Sequence, residues 1–255
     1  MRTRFLPEIF PSDETLHLVG TARHDAFANN LRILVWNIYK GRNKSWENDF
    51  LHLTEDRNLV LLQESVLNTR YDALFESPER YEWIMAKSYK MVRNLAATGV
   101  KTGSSVASIG RSYYLSPDLE PLFKTPKMIL VTTYEIPDSS ETLLVVNVHA
   151  INFVGIQKYN RQLLQITEVI DAHKGPVILA GDFNTWSYER YKYLQGAIEK
   201  MGLQEASLVR KARLSHLIKN LDHIFYRGLT LQNAEVLFSI KTSDHYPIVA
   251  DFSFA

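Results

Sequence analysis

The chain has 255 residues, a length that fits one large domain or two small ones. With 45% hydrophobic and 22% charged residues it has the make-up of a globular protein that buries a core without staples. A formal net charge of +1 gives no global field for a polyanion, and the absence of cysteine excludes disulfides, zinc-thiolate sites and a cysteine nucleophile.

Residues 1 to 30 carry Pro7, Pro11 and scattered polar groups. They read as an irregular arm packed on a domain over 31 to 255. The arm lacks the continuous apolar stretch of a secretory leader, and no window approaches the ~20 apolar residues of a membrane span, which points to the cytoplasm. A first strand-length apolar run covers Ile33 to Trp36. Ser45 then reads as the cap of a helix carrying Trp46, Phe50 and Leu53 on one side. A second run covers Leu59 to Leu62. The segment from Arg93 to Arg111 holds Gly99, Lys101 and Gly103 among small polar residues and reads as an exposed loop. Further runs cover Ile129 to Tyr134 and Leu143 to Val148. From Lys158 to His173, Tyr159, Leu163, Ile166 and Ile170 recur at helical spacing before the stop signals Gly175 and Pro176. After Val177 to Ala180, Ser187 precedes a helix with Tyr191, Leu194, Ile198 and Met201, closed by Gly202. Ile224 to Tyr226 and Ile248 to Phe252 complete the set. Several runs are continuous in Val and Ile rather than alternating, as in strands covered on both faces. Strands alternating with helices predict an α/β domain. Periodicity leaves open a single sheet or two packed sheets flanked by helices.

The polar residues at the strand ends carry the functional signal. LVWNIYKG ends a strand on Asn37, LVLLQES on Glu64, and VVNVHAIN on His149 and Asn152. VILAGDFNTWS does the same for Asp182 and Asn184. LDHIFYRG opens a strand with Asp222, and TSDHYPIV leads into the last one through Asp244 and His245. Taken singly, Asn37, Glu64 and Asp222 have ordinary explanations as turn formers or solvated groups. Together, groups at strand ends converge along one sheet edge, where ligand crevices form. Four carboxylates meeting there repel one another, and a cation relieves the repulsion. A donor set of carboxylate and amide oxygens favours Mg²⁺, with Mn²⁺ as substitute, over zinc. Mg²⁺ needs only one or two protein carboxylates, so Glu64 suffices as an essential ligand.

In this order, these segments resemble the endonuclease/exonuclease/phosphatase superfamily, which includes deoxyribonuclease I, exonuclease III, neutral sphingomyelinases and inositol polyphosphate 5-phosphatases. The wording VWNIYKG, VVNVHAIN, AGDFNTWS and FYRG is most similar to its bacterial YafD-like branch. The resemblance spans Asn37 to His245 and implies a four-layer α/β/β/α sandwich of two packed mixed sheets flanked by helices. It implies metal ligation by Glu64, with Asn37 beside it and Asp244 nearby. It also implies that Asp222 orients His245, that Asp182 aligns or deprotonates the attacking water, and that Asn184 and His149 bond the scissile phosphate. The reaction is then metal-assisted in-line hydrolysis of a phosphate ester, with either Asp182 or His245 as base. Abasic-site endonucleases of the superfamily carry a tyrosine motif where this chain has His149, which points away from that branch.

Basic residues bear on the substrate. Lys40, Arg42 and Lys44 follow Asn37, and Arg210, Lys211, Arg213 and Lys219 precede Asp222. Such clusters fit a nucleic-acid backbone and, equally, a solvated face balanced by neighbouring acids. Trp186, two residues past Asn184, fits a ring that stacks on a base and equally one that packs at the start of a helix; Lys40, Arg42, Asn152 and Trp186 are the expected substrate contacts. No long apolar loop is visible that would dip into a membrane. A nuclease acting on DNA or RNA is the first reading. A phosphatase or phosphodiesterase on a phospholipid or inositol phosphate is the alternative, and a catalytically silent binding module is the third. No protein partner is implied.

Overall fold

The structure, a computed structural model, describes residues 7–76, 80–92, 94–209 and 221–254. Two sheets pack face to face. Edge to edge, the first runs β1 (Glu8–Ile9), β5 (Glu82–Lys90), β6 (Ala97–Ser104), β4 (Leu59–Leu67), β3 (Asn30–Asn37), β14 (Ile248–Phe254) and β13 (Leu229–Val236), with β2 (Leu16–Val19) also paired to β5. The second runs β11 (Gln204–Glu205), β12 (Asp222–Arg227), β10 (Val177–Asp182), β9 (Thr142–His149), β8 (Met128–Glu135) and β7 (Gly110–Leu115). The pairs β3–β4 and β9–β10 are parallel, and the other ladders are antiparallel. Helices α1 (Trp46–Thr54) and α2 (Thr69–Glu76) cover the first sheet; α3 (Ile156–Asp171) and α4 (Tyr188–Lys200) cover the second.

This layering explains the continuous apolar runs. Ile33 and Val35 of β3 pack inward with Leu59, Leu61, Val145 and Ile178, while Leu34 and Trp36 pack outward against Trp46 and Phe50 of α1. On the second sheet, Val146, Val148 and Leu179 face Tyr159, Leu163, Ile166 and Leu194 of α3 and α4. A strand buried on both faces has no polar side to show. Ser187 caps α4 as expected, its side chain accepting from Arg190 N. Ser45 precedes α1 but adopts φ 67° and makes no side-chain cap.

Two expectations are corrected. The stretch from Arg93 to Arg111 is not an exposed loop, because within it β6 is buried along its whole length between β4 and β5. Its glycines are packing residues: a Cβ on Gly99 would lie 1.9 Å from the Ala86 carbonyl oxygen, and one on Gly103 would strike the Trp83 ring. The N-terminal segment is only partly irregular, since β1 and β2 extend the first sheet by pairing with β5. Among the described residues, no helix is long and apolar enough to cross a membrane.

Candidate active site

The register of the second sheet sets three polar residues side by side. Asp182, at the end of β10, is opposite His149 of β9 and Asp222 of β12. Gly181 makes this possible: it adopts φ 138°, and a Cβ there would lie 2.0 Å from the Val148 carbonyl oxygen. From the first sheet, Asn37 ends β3 and its Nδ2 donates to Asp182 Oδ2 at 3.0 Å, bridging the two sheets. The loop before β14 brings in His245, whose position is fixed by Trp36 Nε1 donating to its carbonyl oxygen at 3.1 Å.

Around Asp182 the imidazoles take different states. His245 Nδ1 lies 2.7 Å from Asp222 Oδ2, and its Nε2 lies 3.8 Å from Asp182 Oδ2. Burial opposes the imidazolium, but the charge and hydrogen bond of Asp222, with Asp182 and Asp244, outweigh it and raise the pKa to about 10. His149 Nε2 lies 3.5 Å from the same Asp182 oxygen and 3.0 Å from Lys127 Nζ. Burial, then the charges of Lys127, Lys40 and His245, hold His149 well below the usual histidine range, so it is neutral. The Asp182 carboxyl is pushed up to about 6 by burial and by Asp222, against the pull of His245. Asn184, at φ 50°, donates its backbone N–H to Asp182 Oδ1 at 2.9 Å.

Glu64 stands on a β-bulge. The pairing of β4 with β6 slips between Leu62 and Ser65, and Glu64 adopts φ 50°. Its carboxylate pairs with Lys40, itself at φ 58° in the turn after β3. Burial raises the Glu64 pKa, but Lys40 and Lys127 outweigh that and lower it. Lys40 is thus turned into the cleft, whereas Arg42 is exposed and lies over the Tyr39 ring. Asp244 accepts from Ser243 Oγ at 3.3 Å. Among the described residues, Asp182, Asp222 and His245 also bring one potential ligand atom each within 4.8 Å of one another.

Asn184 and Asn152 form a bracket at the rim. Asn184 Nδ2 donates to the Ala150 carbonyl at 2.9 Å, and Asn152 Nδ2 donates to Asn184 Oδ1 at 2.6 Å. Trp186 Nε1 donates to Asn152 Oδ1 at 2.8 Å. Buried Arg190 of α4 supports both loops by donating to the carbonyls of Ile151, Val154 and Asn184. Arg190, Lys127 and Glu120 were not singled out from sequence. Lys127 precedes a strand in TPKMIL and looks like any solvated lysine; only the pairing of Met128 with His149 brings it to the site. The basic residues Arg210, Lys211, Arg213 and Lys219 lie outside the described residues.

A divalent cation suits this cleft. The donors are carboxylate and amide oxygens, Asp222 Oδ1 is buried without a hydrogen-bond partner among the described residues, and a lysine ammonium already neutralises Glu64. The arrangement can activate a water and hold a phosphate ester against cationic and neutral donors.

A model of the Endonuclease/Exonuclease/phosphatase family matches residues 34–245. A UPF0294 protein of Vibrio campbellii is 35% identical over 229 residues, covering 88% of this chain and 77% of that protein. A UPF0294 protein of Klebsiella pneumoniae is 37% identical over 227 residues, covering 88% and 82%. The crystal structure of an endonuclease/exonuclease/phosphatase from Beutenbergia cavernae matches with a TM-score of 0.69 at 16% identity, over 89% of this chain and 72% of that one, a likeness of fold alone. Four layers, strand-end site and family match agree: the chain belongs to the endonuclease/exonuclease/phosphatase family.

Proposed function

We propose that the chain hydrolyses a phosphodiester by in-line attack of water with a divalent metal, Mg²⁺ or Mn²⁺. The observation that carries this reading is the position of Asp182 Oδ2, with Asn37 Nδ2 at 3.0 Å, His149 Nε2 at 3.5 Å and His245 Nε2 at 3.8 Å. Glu64 would hold the metal, with Asn37 and Asp244 as neighbouring ligands, and the bound ion would neutralise charge on the phosphate and the leaving oxygen. Asp182 aligns the attacking water and takes its proton. His245 is committed to Asp222 through Nδ1, so its Nε2–H faces the cleft as a donor to a phosphate oxygen. Lys127 and His149 form the opposite wall. Asn184 has both ends of its amide in protein bonds, so it positions Asp182 through its backbone and offers the phosphate only a remaining N–H.

Two carriers of the diester each have an observation in their favour. Exposed Arg42 and Trp186 at the rim favour a nucleic-acid strand. Exposed apolar turns beside the same rim favour a phospholipid headgroup. The test is a panel of single- and double-stranded DNA, RNA, phospholipids, inositol phosphates and bis-para-nitrophenyl phosphate, with Mg²⁺, Mn²⁺ or chelator. Wild type, Asp182→Asn and His245→Ala are run together. Each substitution is expected to lower turnover ~100-fold or more. Absence of metal-dependent hydrolysis on every substrate would sink the reading.

A further inference from the structure

Leu122 and Phe123, in the turn between β7 and β8, are 76% and 60% exposed. The turn is a built one. Glu120 N donates to the Thr125 carbonyl at 2.9 Å, Lys124 N donates back to the Glu120 carbonyl at 3.0 Å, and Lys124 holds φ 52°. It is also tied to the cleft: Glu120 Oε1 lies 3.5 Å from Lys127 Nζ and accepts from Asn152 N at 3.0 Å. Next to Asn152, Phe153 is 73% exposed at φ 54°. The turn between β5 and β6 presents Leu95, 72% exposed at φ 58°, and places Met91 and Asn94 on a wall shared with Lys40 and Arg42. Lys40 and Lys127 line one cleft with Glu64 and His149, so two hairpin turns, one from each sheet, carry apolar tips next to its two walls. These residues come in ones and twos from distant positions, so they form no long apolar loop in the sequence.

Single exposed apolar residues are ordinary, but a group converging on a cleft marks an interaction surface. Strained, hydrogen-bonded backbone holds these tips outward, so their exposure is not looseness. The charges beside them are unbalanced in one direction. Lys124 is exposed, whereas the nearby acids are engaged, Asp118 by Arg161 and Lys158, and Glu120 by Lys127. Phe153 and Trp186 would stack on bases, but Leu95 and Leu122 have no π face to offer them. Aliphatic tips beside lysine are the combination that enters the headgroup boundary of an acidic bilayer.

We propose that this rim seats the protein on an anionic phospholipid surface, with Leu95, Leu122, Phe123 and Phe153 entering the interface and Lys124 at headgroup level. The surface then delivers a phospholipid headgroup diester to the cleft, a step that rests on the phosphodiesterase reading above. The test is co-sedimentation of the full chain, in chelator, with vesicles of phosphatidylcholine alone or mixed equally with phosphatidylglycerol. Wild type pellets with the anionic vesicles. The double variant Leu122→Ser/Phe123→Ser lowers partitioning about tenfold or more. It leaves the melting temperature and the hydrolysis of soluble bis-para-nitrophenyl phosphate unchanged, and Leu122→Phe/Phe123→Leu restores binding. Wild type remaining in the supernatant, or sedimenting equally with the serine variant, overturns the proposal. So does loss of single-stranded DNA binding in the serine variant without any vesicle binding, which assigns the rim to nucleic acid. Partitioning is read without turnover, so its failure leaves the hydrolytic reading standing. Failure to cleave the soluble diester overturns that reading alone.

Discussion

Asp222 Oδ2 lies 2.7 Å from His245 Nδ1, and that contact decides which ring nitrogen faces Asp182. Asp222→Asn keeps the shape and removes the charge. Burial then acts on His245 with less opposition, so its pKa falls from about 10. The imidazolium is lost at a lower pH than in wild type, and turnover at roughly pH 8 drops ~100-fold or more, with a smaller deficit at roughly pH 6. A pH–rate profile with an NMR titration of His245 checks this. A profile that keeps its wild-type shape contradicts it.

Lys40 holds the place of a cation on Glu64. Lys40→Gln removes the competitor, and Mg²⁺ or Mn²⁺ binding measured by calorimetry is expected to tighten about tenfold, equivalent to ~1.4 kcal/mol. Glu64→Gln is expected to abolish the same binding isotherm. Unchanged affinity in the first variant, or retained binding in the second, counts against Glu64 as the metal's main anchor.

Lys101, on β6, is buried with its Nζ 3.4 Å from the centre of the Phe75 ring. Burial pushes its pKa down to about 7, with Asp72 opposing. The unfolded chain therefore binds a proton that the folded chain lacks between about pH 7 and the ordinary lysine value, so stability rises with pH across that window. Lys101→Met is expected to stabilise the fold by roughly 1–3 kcal/mol near pH 6 and by less near pH 9. Urea denaturation at the two pH values measures it. An equal gain at both would mean that Lys101 is not titrating.

Asn147 of β9 lies between the sheets. Its Oδ1 accepts from Gln63 Nε2 at 2.8 Å, and its Nδ2 donates to the carbonyls of Leu62 and Lys101 and to Thr102 Oγ1. Asn147→Ala strands these groups in a dry interior and is expected to cost about 2–4 kcal/mol. The double-mutant cycle with Gln63→Ala should give a coupling of about 1 kcal/mol or more by denaturation, and strict additivity would argue against a clamp.

The parts legible in the sequence were those whose meaning is local. Val and Ile runs marked β3, β9 and β10 because both faces of each are buried, and helical spacing marked α3. Strand β6 was hidden: ATGVKTGS looks like a loop until Trp83 and Ala86 are known to press on its glycines. Asp182, His149 and Asp222 were recoverable as strand-end polar groups. The commitment of Lys40 to Glu64 was not, because it depends on a left-handed turn and a bulge that residue types do not announce. Lys127, Glu120 and Arg190 are joined to the site by bonds to His149, Asn152 and Ile151, 22 to 39 residues away.

The bulge at Glu64 separates scaffold from chemistry at the spacing of a single residue. In a straight strand, neighbours alternate faces, and a side chain recruited for reaction takes its place in that alternation. Here Gln63 stitches the two sheets together while Glu64, the very next residue, is released toward the cleft. A lineage could therefore retune position 64 and the turns around it for a new ester while the seam at position 63 stays as it is, so that changes of specificity need not erode the fold.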